Sequence, residues 1–308
     1  MKATIPQIIQ TELNDSVEAI QKIVGFGIVN QVFQVKGKKR DYVIRLNEEA
    51  AKKIEYQKEN WCIQKVANLG IPSPEMLGIG LWNDISFMIQ NKIEGQNGQL
   101  CTTTEKLKIW EDLGRYASKF HQVKRIEVTA VEENEFHKNW QSKLQYNLNE
   151  LNEKDSLLDH KILTQVEHNS ITAILSTLKN KVFQVGLVHG DLCPRNVIWN
   201  EEITYLLDWG TAEINIVPHN EIGLILMSKE ASNIEFQAFL DGLGMSDSNY
   251  KTIKKDIQIL NLLHLLDKYR WAESYDVEHL DEFGQKVCLA LAIVRENPNK
   301  TKNSNNKL

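Results

Sequence analysis

The sequence predicts an α+β protein of two lobes: a small five-stranded antiparallel sheet with one main helix, followed by a larger, mainly helical lobe. Three observations carry this. Before residue 95, short runs rich in Val, Ile and Phe alternate with Gly-containing or Asn-Asp breaks, the pattern of strands and turns. Beyond residue 101, apolar residues recur mostly at three- and four-residue spacing, the period of helices. A length of 308 residues exceeds the usual extent of a single core, so two lobes are expected.

Residues 4–15 read as a short helix. Val17–Val24, Val29–Val35 and Asp41–Leu46 then read as three antiparallel strands, with Gly25, Gly27 and Gly37 in the breaks. From Glu48 to Leu69 the pattern becomes helical, and Gly70, Pro72 and Pro74 stop it. Met76–Trp82 and Ser86–Ile93, joined by Asn83-Asp84, complete a five-stranded lobe ending near residue 94. The polar stretch Gly95–Cys101 reads as the connection to the second lobe. Helical patterns follow over 104–123, 135–151, 160–183, 220–227, 234–243, 250–271 and 277–295. Residues 298–308, rich in Asn and Lys, read as a disordered tail.

Charged residues at 25% and hydrophobic ones at 42% fit a globular chain with a sizeable core. No signal-peptide core or membrane-length apolar run is present, and Cys62, Cys101, Cys193 and Cys288 show no C-x-x-C spacing; free thiols in a cytoplasmic protein are expected. The first 95 residues hold 12 basic against 11 acidic residues, and the remaining 213 hold 24 against 30. The acidic excess in the larger part argues against nucleic acid as a partner and leaves room for a cationic substrate.

The chemistry concentrates in Leu187–Gly210, which reads LVHGDLCPRNVIWNEEITYLLDWG. Asn196–Trp199 and Tyr205–Leu207 flank a turn, so the stretch is a hairpin with a loop at each end. Asp191 follows His189, which can anchor the loop to backbone, and Gly190, which permits tight packing. An Asp held so can accept or orient the proton of an attacking hydroxyl. Asn196 and Asp208 add an amide and a carboxylate oxygen, hard donors of the kind Mg²⁺ prefers. Asp, five residues to Asn, and a later Asp-aromatic-Gly is the order of residues in kinase active sites; Gly190 and Trp209 stand where protein kinases carry Arg and Phe. Upstream, the same order calls for a phosphate-covering hairpin, here Gly25, Gly27 and Asn30, then a cation on the third strand, Arg45, and a helix acid, Glu59.

These motifs make the chain resemble the aminoglycoside phosphotransferase and choline kinase group of small-molecule kinases, from about Val17 to about Arg295. The group's catalytic loop is similar to His189-Gly190-Asp191-Leu192-Cys193-Pro194-Arg195-Asn196, and its metal-binding segment to Leu206-Leu207-Asp208-Trp209-Gly210. Glu59 matches the group's helix and its Gly-x-Pro exit, and Phe120-His121 resembles the Leu-His that ends its first large C-lobe helix. The resemblance implies a bilobal protein-kinase-like fold, with residues 1–94 as a nucleotide-binding N-lobe and 95–297 as the C-lobe. It also implies ATP or GTP with Mg²⁺ as cofactors. Asp191 would be the base or hydroxyl-orienting residue, Asn196 and Asp208 the metal ligands, and Arg45 with Glu59 the nucleotide clamp. The base would lie against backbone near Gln90, Asn91 and Lys92. Arg195 reaches either a phosphate or solvent, and both readings stay open.

The acceptor is expected over Asp191, among Trp140, Tyr146, Glu213, Asp267, Trp271 and Glu273, acidic and aromatic groups that suit an amine-bearing compound. The favoured activity is therefore O-phosphorylation of a small cationic hydroxyl compound such as an aminoglycoside antibiotic. Alternatives are a housekeeping kinase of choline, an amino sugar or a sugar metabolite, and a catalytically silent nucleotide-binding protein. A protein kinase is disfavoured, since no Ala-Pro-Glu follows Asp208-Trp209-Gly210.

Overall fold

Helix α1 (Ile5–Leu13) places Ile5, Ile8 and Ile9 on one fully buried stripe, as three- and four-residue spacing requires. In the computed structural model, which describes residues 2–23, 31–127 and 140–296, that stripe packs with Phe33, Val35, Tyr42, Ile44, Leu46, Phe87 and Ile89. These belong to β2 (Gln31–Gly37), β3 (Asp41–Asn47) and β5 (Ile85–Asn91), which with β1 (Val17–Ile23) and β4 (Met76–Trp82) form an antiparallel sheet of order β1-β2-β3-β5-β4. Along β3, Tyr42, Ile44 and Leu46 are buried against α1's side, while Arg45 lies on the alternate face. There it meets α2 (Lys52–Ala67), whose buried stripe includes two charged residues, Lys58 and Glu59.

The helix expected from Glu48 begins four residues later because Asn47 Oδ1 accepts the Glu49 N–H at 2.9 Å and Ser86 Oγ donates to the carbonyls of Glu49 and Ala50 at 2.7 and 3.1 Å. The stretch read as a plain polar connection is ordered: β6 (Gln96–Asn97) pairs with Trp199 and Ile198. Next come α3 (Thr103–Phe120), α4 (Trp140–Glu150), α5 (Ser156–Asp159), α6 (Gln165–Ser176) and β7 (Val185–Val188). The hairpin is β8 (Val197–Asn200) and β9 (Ile203–Leu206), and β10 (Glu213–Ile216), α7 (His219–Ser228), α8 (Asn233–Leu243), α9 (Asp247–Tyr275) and α10 (Leu280–Arg295) complete the chain. The phosphate-loop residues Gly25, Gly27 and Asn30, the start of the helix expected from Glu135, and the tail 298–308 lie outside the described residues.

Two compact units result. One takes the described residues within Met1–His137, Gly186–Ile214 and Glu230–Gly244, so the sheet and the hairpin share it. In it α3 packs on α8, with Trp110 edge-on to Phe239 at 6.2 Å. The other takes those within Lys138–Val185, Asn215–Lys229 and Met245–Leu308. Its core joins Leu157, Ile171, Leu175, Leu262, Leu266 and Val287, and the buried Arg270 donates to Asp155 Oδ2 at 3.1 Å and to Asn147. The single helix expected over 160–183 is broken: Lys161 adopts φ 56°, and a Thr164–Glu167 capping box starts α6 afresh.

Candidate active site

Around the hairpin, local hydrogen bonds fix both loops. His189, wholly buried, donates from Nε2 to the Leu207 carbonyl at 2.8 Å and accepts the Asp191 N–H at Nδ1 at 3.3 Å. Burial holds its pKa below the ordinary histidine value, as a ring that uses one nitrogen as donor and the other as acceptor requires. Gly190 has φ +82°, and a Cβ there would stand 2.7 Å from the Thr211 carbonyl oxygen, so no larger residue fits. Thr211 in turn donates its hydroxyl to the His189 carbonyl at 2.9 Å. Trp209 fills the space beneath both loops, edge-on to Phe120 at 5.3 Å and tilted over His189 at 4.7 Å.

Each Asp191 oxygen takes a different donor. Asn196 Nδ2, on the single helical turn Pro194–Asn196, donates to Asp191 Oδ2 and to the Asp191 carbonyl, both at 2.8 Å. That commits the amide nitrogen and leaves Asn196 Oδ1 as the group presented away from Asp191. Arg195 donates to Asp191 Oδ1 and, through its other terminal nitrogen, to Glu230. Cys193 lies beneath, its thiol pushed up to about 11 by burial and therefore inert as a nucleophile.

Arg45 joins the two halves of the site. Its Nη2 and Nη1 donate to Glu59 Oε1 and Oε2 at 2.6 and 3.0 Å, and Nη1 stands 3.4 Å from Asp208 Oδ1. Burial opposes the charge on Arg45, but the Glu59 and Asp208 carboxylates outweigh it and raise the guanidinium's pKa. Burial also pushes the Glu59 carboxyl up, against the pull of Arg45 and the Trp209 N–H. Two short contacts to a guanidinium hold this as an ion pair. Asp208, at φ 59°, keeps its carboxylate half exposed. Lys58, which apolar patterning could not single out, lies one residue before Glu59 and donates to the carbonyls of Gly210 and Ala212 at 2.7 and 3.0 Å. Burial lowers its pKa, and the two carbonyls clamp the loop after Asp208 to α2.

Among the described residues no cluster of three or more His, Cys, Asp or Glu could hold a metal ion. A hard divalent cation fits what is present, the Asn196 amide oxygen and the Asp208 carboxylate, provided that water and phosphate supply its other ligands. A partly exposed carboxylate fixed at both oxygens, two hard donors and an anchored guanidinium are the kinds of group that phosphoryl transfer uses.

The sequence profile of the phosphotransferase enzyme family matches residues 21–252. The chain belongs to this family. Among solved structures, wild-type aminoglycoside 2′-phosphotransferase-IIIa, as its GDP complex, is similar with TM-score 0.69 at 16% identity over 95% of this chain and 99% of that one. The GDP and kanamycin complex of APH(2″)-IIIa aligns with TM-score 0.67 at 15% identity, over 93% and 98%. A thermostable mutant of aminoglycoside phosphotransferase APH(4)-Ia, in ternary complex with ADP and hygromycin B, aligns with TM-score 0.66 at 12% identity, over 96% and 100%. At these identities the likeness is one of fold. No curated protein sequence matches. The chain is accordingly a phosphotransferase with a hydroxyl acceptor, built on a five-stranded antiparallel N-lobe and a helical C-lobe. No helix among the described residues is long and apolar enough to cross a membrane.

Other expected site residues of the phosphotransferase are placed differently. Gln90 is buried within β5; the N–H groups of Asn91 and Lys92 already donate to the Glu75 and Asp41 carbonyls at 3.1 and 3.2 Å. Those two donors are therefore taken by the sheet. Asp267 is paired, with Lys143 at 3.0 Å, and accepts from Asn147. Trp271 is half exposed and stacks on Tyr275, with the Lys268 ammonium already over its ring at 5.2 Å. Tyr146 is exposed on α4 and Glu273 half-buried on α9, both in the second unit, whereas Glu213 is in the first, near Lys58. Trp140 is half-buried, edge-on to Phe183 at 5.2 Å. It lines a cleft with Lys143, Asn215, Asn220, Asn261 and His264, and among the described residues no carboxylate lines that cleft. An acidic pocket built from these side chains was expected; ion pairing within the fold neutralises Asp267 instead.

Proposed function

We propose that this phosphotransferase moves the γ-phosphate of ATP or GTP to a hydroxyl of a small, cationic compound of the aminoglycoside type. The observation that carries it is the Arg45–Glu59 pair 3.4 Å from Asp208, in the same unit as a partly exposed Asp191 fixed at both oxygens. Similar folds are solved with GDP or ADP and with kanamycin or hygromycin B, which supports both the nucleotide and the acceptor class. In this reading Arg45 grips α- and β-phosphate oxygens, and Asp191 orients the acceptor hydroxyl and receives its proton as the oxygen attacks the γ-phosphorus. The nucleoside diphosphate leaves as the new P–O bond forms. Asn196 and Asp208 would hold Mg²⁺, which neutralises phosphate charge when bound. His189 acts only by fixing the loop. Residues 1–94 serve the nucleotide and 95–297 carry the catalytic and metal-binding loops and the acceptor site, in a cytoplasm that keeps the four thiols reduced.

One observation favours a second acceptor class. The cleft beside Trp140 presents amide, imidazole and ammonium groups and, among the described residues, no carboxylate, which suits a neutral polyhydroxyl ligand better than a polycation. The deciding experiment supplies ATP and GTP in turn with aminoglycosides, macrolides, choline, amino sugars and neutral sugars, and follows phosphate transfer. Aminoglycoside phosphorylation that disappears in Asp191→Asn supports the first reading. Transfer to neutral sugars alone replaces it with the second, and no transfer to any acceptor rejects both.

A further inference from the structure

Arg195 stands between two carboxylates drawn from distant parts of the chain. One terminal nitrogen donates to Asp191 Oδ1, four residues earlier, and the other to Glu230 Oε1, 35 residues later. Glu230 lies in the link between α7 and α8, outside the motifs that mark the site. Asn196 holds the other Asp191 oxygen, Oδ2, at 2.8 Å, so the carboxylate is fixed from both sides. Only one of these two donors is rigid. The Asn196 amide sits on a short helical turn, whereas Arg195 has a long, partly exposed stem with many rotamers. A single partly exposed ion pair orders such a stem weakly. A carboxylate at each side of the guanidinium fork removes that freedom.

We propose that Glu230 is a positioning residue for phosphoryl transfer, anchoring the Arg195 guanidinium so that Asp191 is held to receive the acceptor hydroxyl and a cation stands beside the attacking oxygen. The proposal rests on Asp191 being the hydroxyl-orienting carboxylate. The guanidinium on Oδ1 carries charge of the sign that stabilises negative charge spread over the transferring phosphoryl oxygens. It also excludes a second cation from that oxygen. The acceptor therefore meets Asp191 with a hydroxyl and keeps ammonium groups elsewhere.

The test uses the full chain with Mg²⁺-ATP and Mg²⁺-GTP, measuring transfer to kanamycin and, without acceptor, to water. Glu230→Gln should lower kcat by roughly tenfold to a hundredfold, as loss of orientation does, while KM for nucleotide changes less than about twofold. Arg195→Gln should lose at least as much, and the double variant no more than Arg195→Gln alone, because Glu230 acts through Arg195. Added guanidinium ion should restore turnover to Arg195→Gly and restore much less to Arg195→Gly with Glu230→Gln. Thermal melting checks each variant's fold, and Glu230→Asp, which keeps the charge, should recover part of the loss if Glu230→Gln proves unstable. Unchanged kcat in Glu230→Gln, multiplicative losses in the double variant, or guanidinium rescue indifferent to residue 230 would each overturn the proposal. Should Asp191→Asn keep full turnover, the reading of Asp191 fails instead; a silent Asp191→Asn beside an active Glu230→Gln removes Glu230 alone.

Discussion

Glu59 meets Arg45 with both carboxylate oxygens, at 2.6 and 3.0 Å, from a side chain only 2% exposed. A charge so enclosed depends on its partner, and removing one member of a buried pair typically costs about 3 to 5 kcal/mol. Glu59→Ala should therefore destabilise the protein by an amount of that order in urea denaturation and weaken nucleotide binding in titration. Arg45→Lys, which keeps the charge and loses the two-point contact, should fall between it and the wild type. Equal stability of Glu59→Ala and wild type would show the pair to be dispensable.

Asp208 should behave in the opposite way. Its side chain is 50% exposed and only one oxygen approaches Arg45, at 3.4 Å, so the fold leans on it little. Asp208→Ala is expected to change stability by less than about 1 kcal/mol while abolishing the Mg²⁺ dependence of nucleotide affinity. Calorimetric titration with and without Mg²⁺ reads this directly; affinity that still rises with Mg²⁺ would move the metal away from Asp208.

Gly190→Ala tests the loop that carries Asp191. At φ +82°, with the Thr211 carbonyl 2.7 Å from the new Cβ, the variant must shift backbone, at a cost of about 2 to 3 kcal/mol. Turnover should fall together with the melting temperature, because the shift displaces Asp191. A variant that melts and turns over like the wild type would contradict the packing described.

Stability should decline in mild acid. Burial, with a smaller contribution from Lys124, pushes His121 down to about 3, and burial also lowers His189. Their unfolded values lie near 6.5, so the unfolded chain takes up protons first. The stabilisation is complete above pH 6.5 and is lost as pH falls from there towards the folded values. His121 alone should remove about 1.4 kcal/mol by pH 5.5, and His189 adds to it. Urea midpoints at pH 7.5 and 5.5 measure the drop, which His121→Leu should reduce; a flat profile would mean that these rings are solvated.

What could be read beforehand, and what could not, follows from how local each signal is. Burial along Asp41–Asn47 alternates almost residue by residue, so that strand is legible from its own letters, and Met76–Trp82 is legible as an apolar run between Pro74 and the Asn83-Asp84 turn. His189, Asp191, Asn196 and Asp208 are legible because one hairpin fixes their spacing. Lys58 is not, since a Lys beside a Glu on a helix of weak amphipathicity resembles a solvated pair until the Gly210 and Ala212 carbonyls arrive from far along the chain. Glu230 is illegible for the same reason. The acceptor side suffers most: Asp267 reads as a free acid, but its charge is spent on Lys143. The break at Lys161 was signalled by Thr164-Gln165-Val166-Glu167, a capping box inside a run whose apolar period continues on either side.

The unit that houses Arg45, Asp191, Asp208 and Glu230 is assembled from three separate stretches of chain, the last of them ending at Gly244. During synthesis, then, the strands and α2 leave the ribosome long before their partners. Lys58 waits without the Gly210 and Ala212 carbonyls that receive it, and α3 waits for α8. No single cut separates the two units into fragments that each hold a whole one, and a chain that stops before Gly244 has no complete site for nucleotide to stabilise. For this enzyme, capture of nucleotide waits until all three stretches of that unit have met.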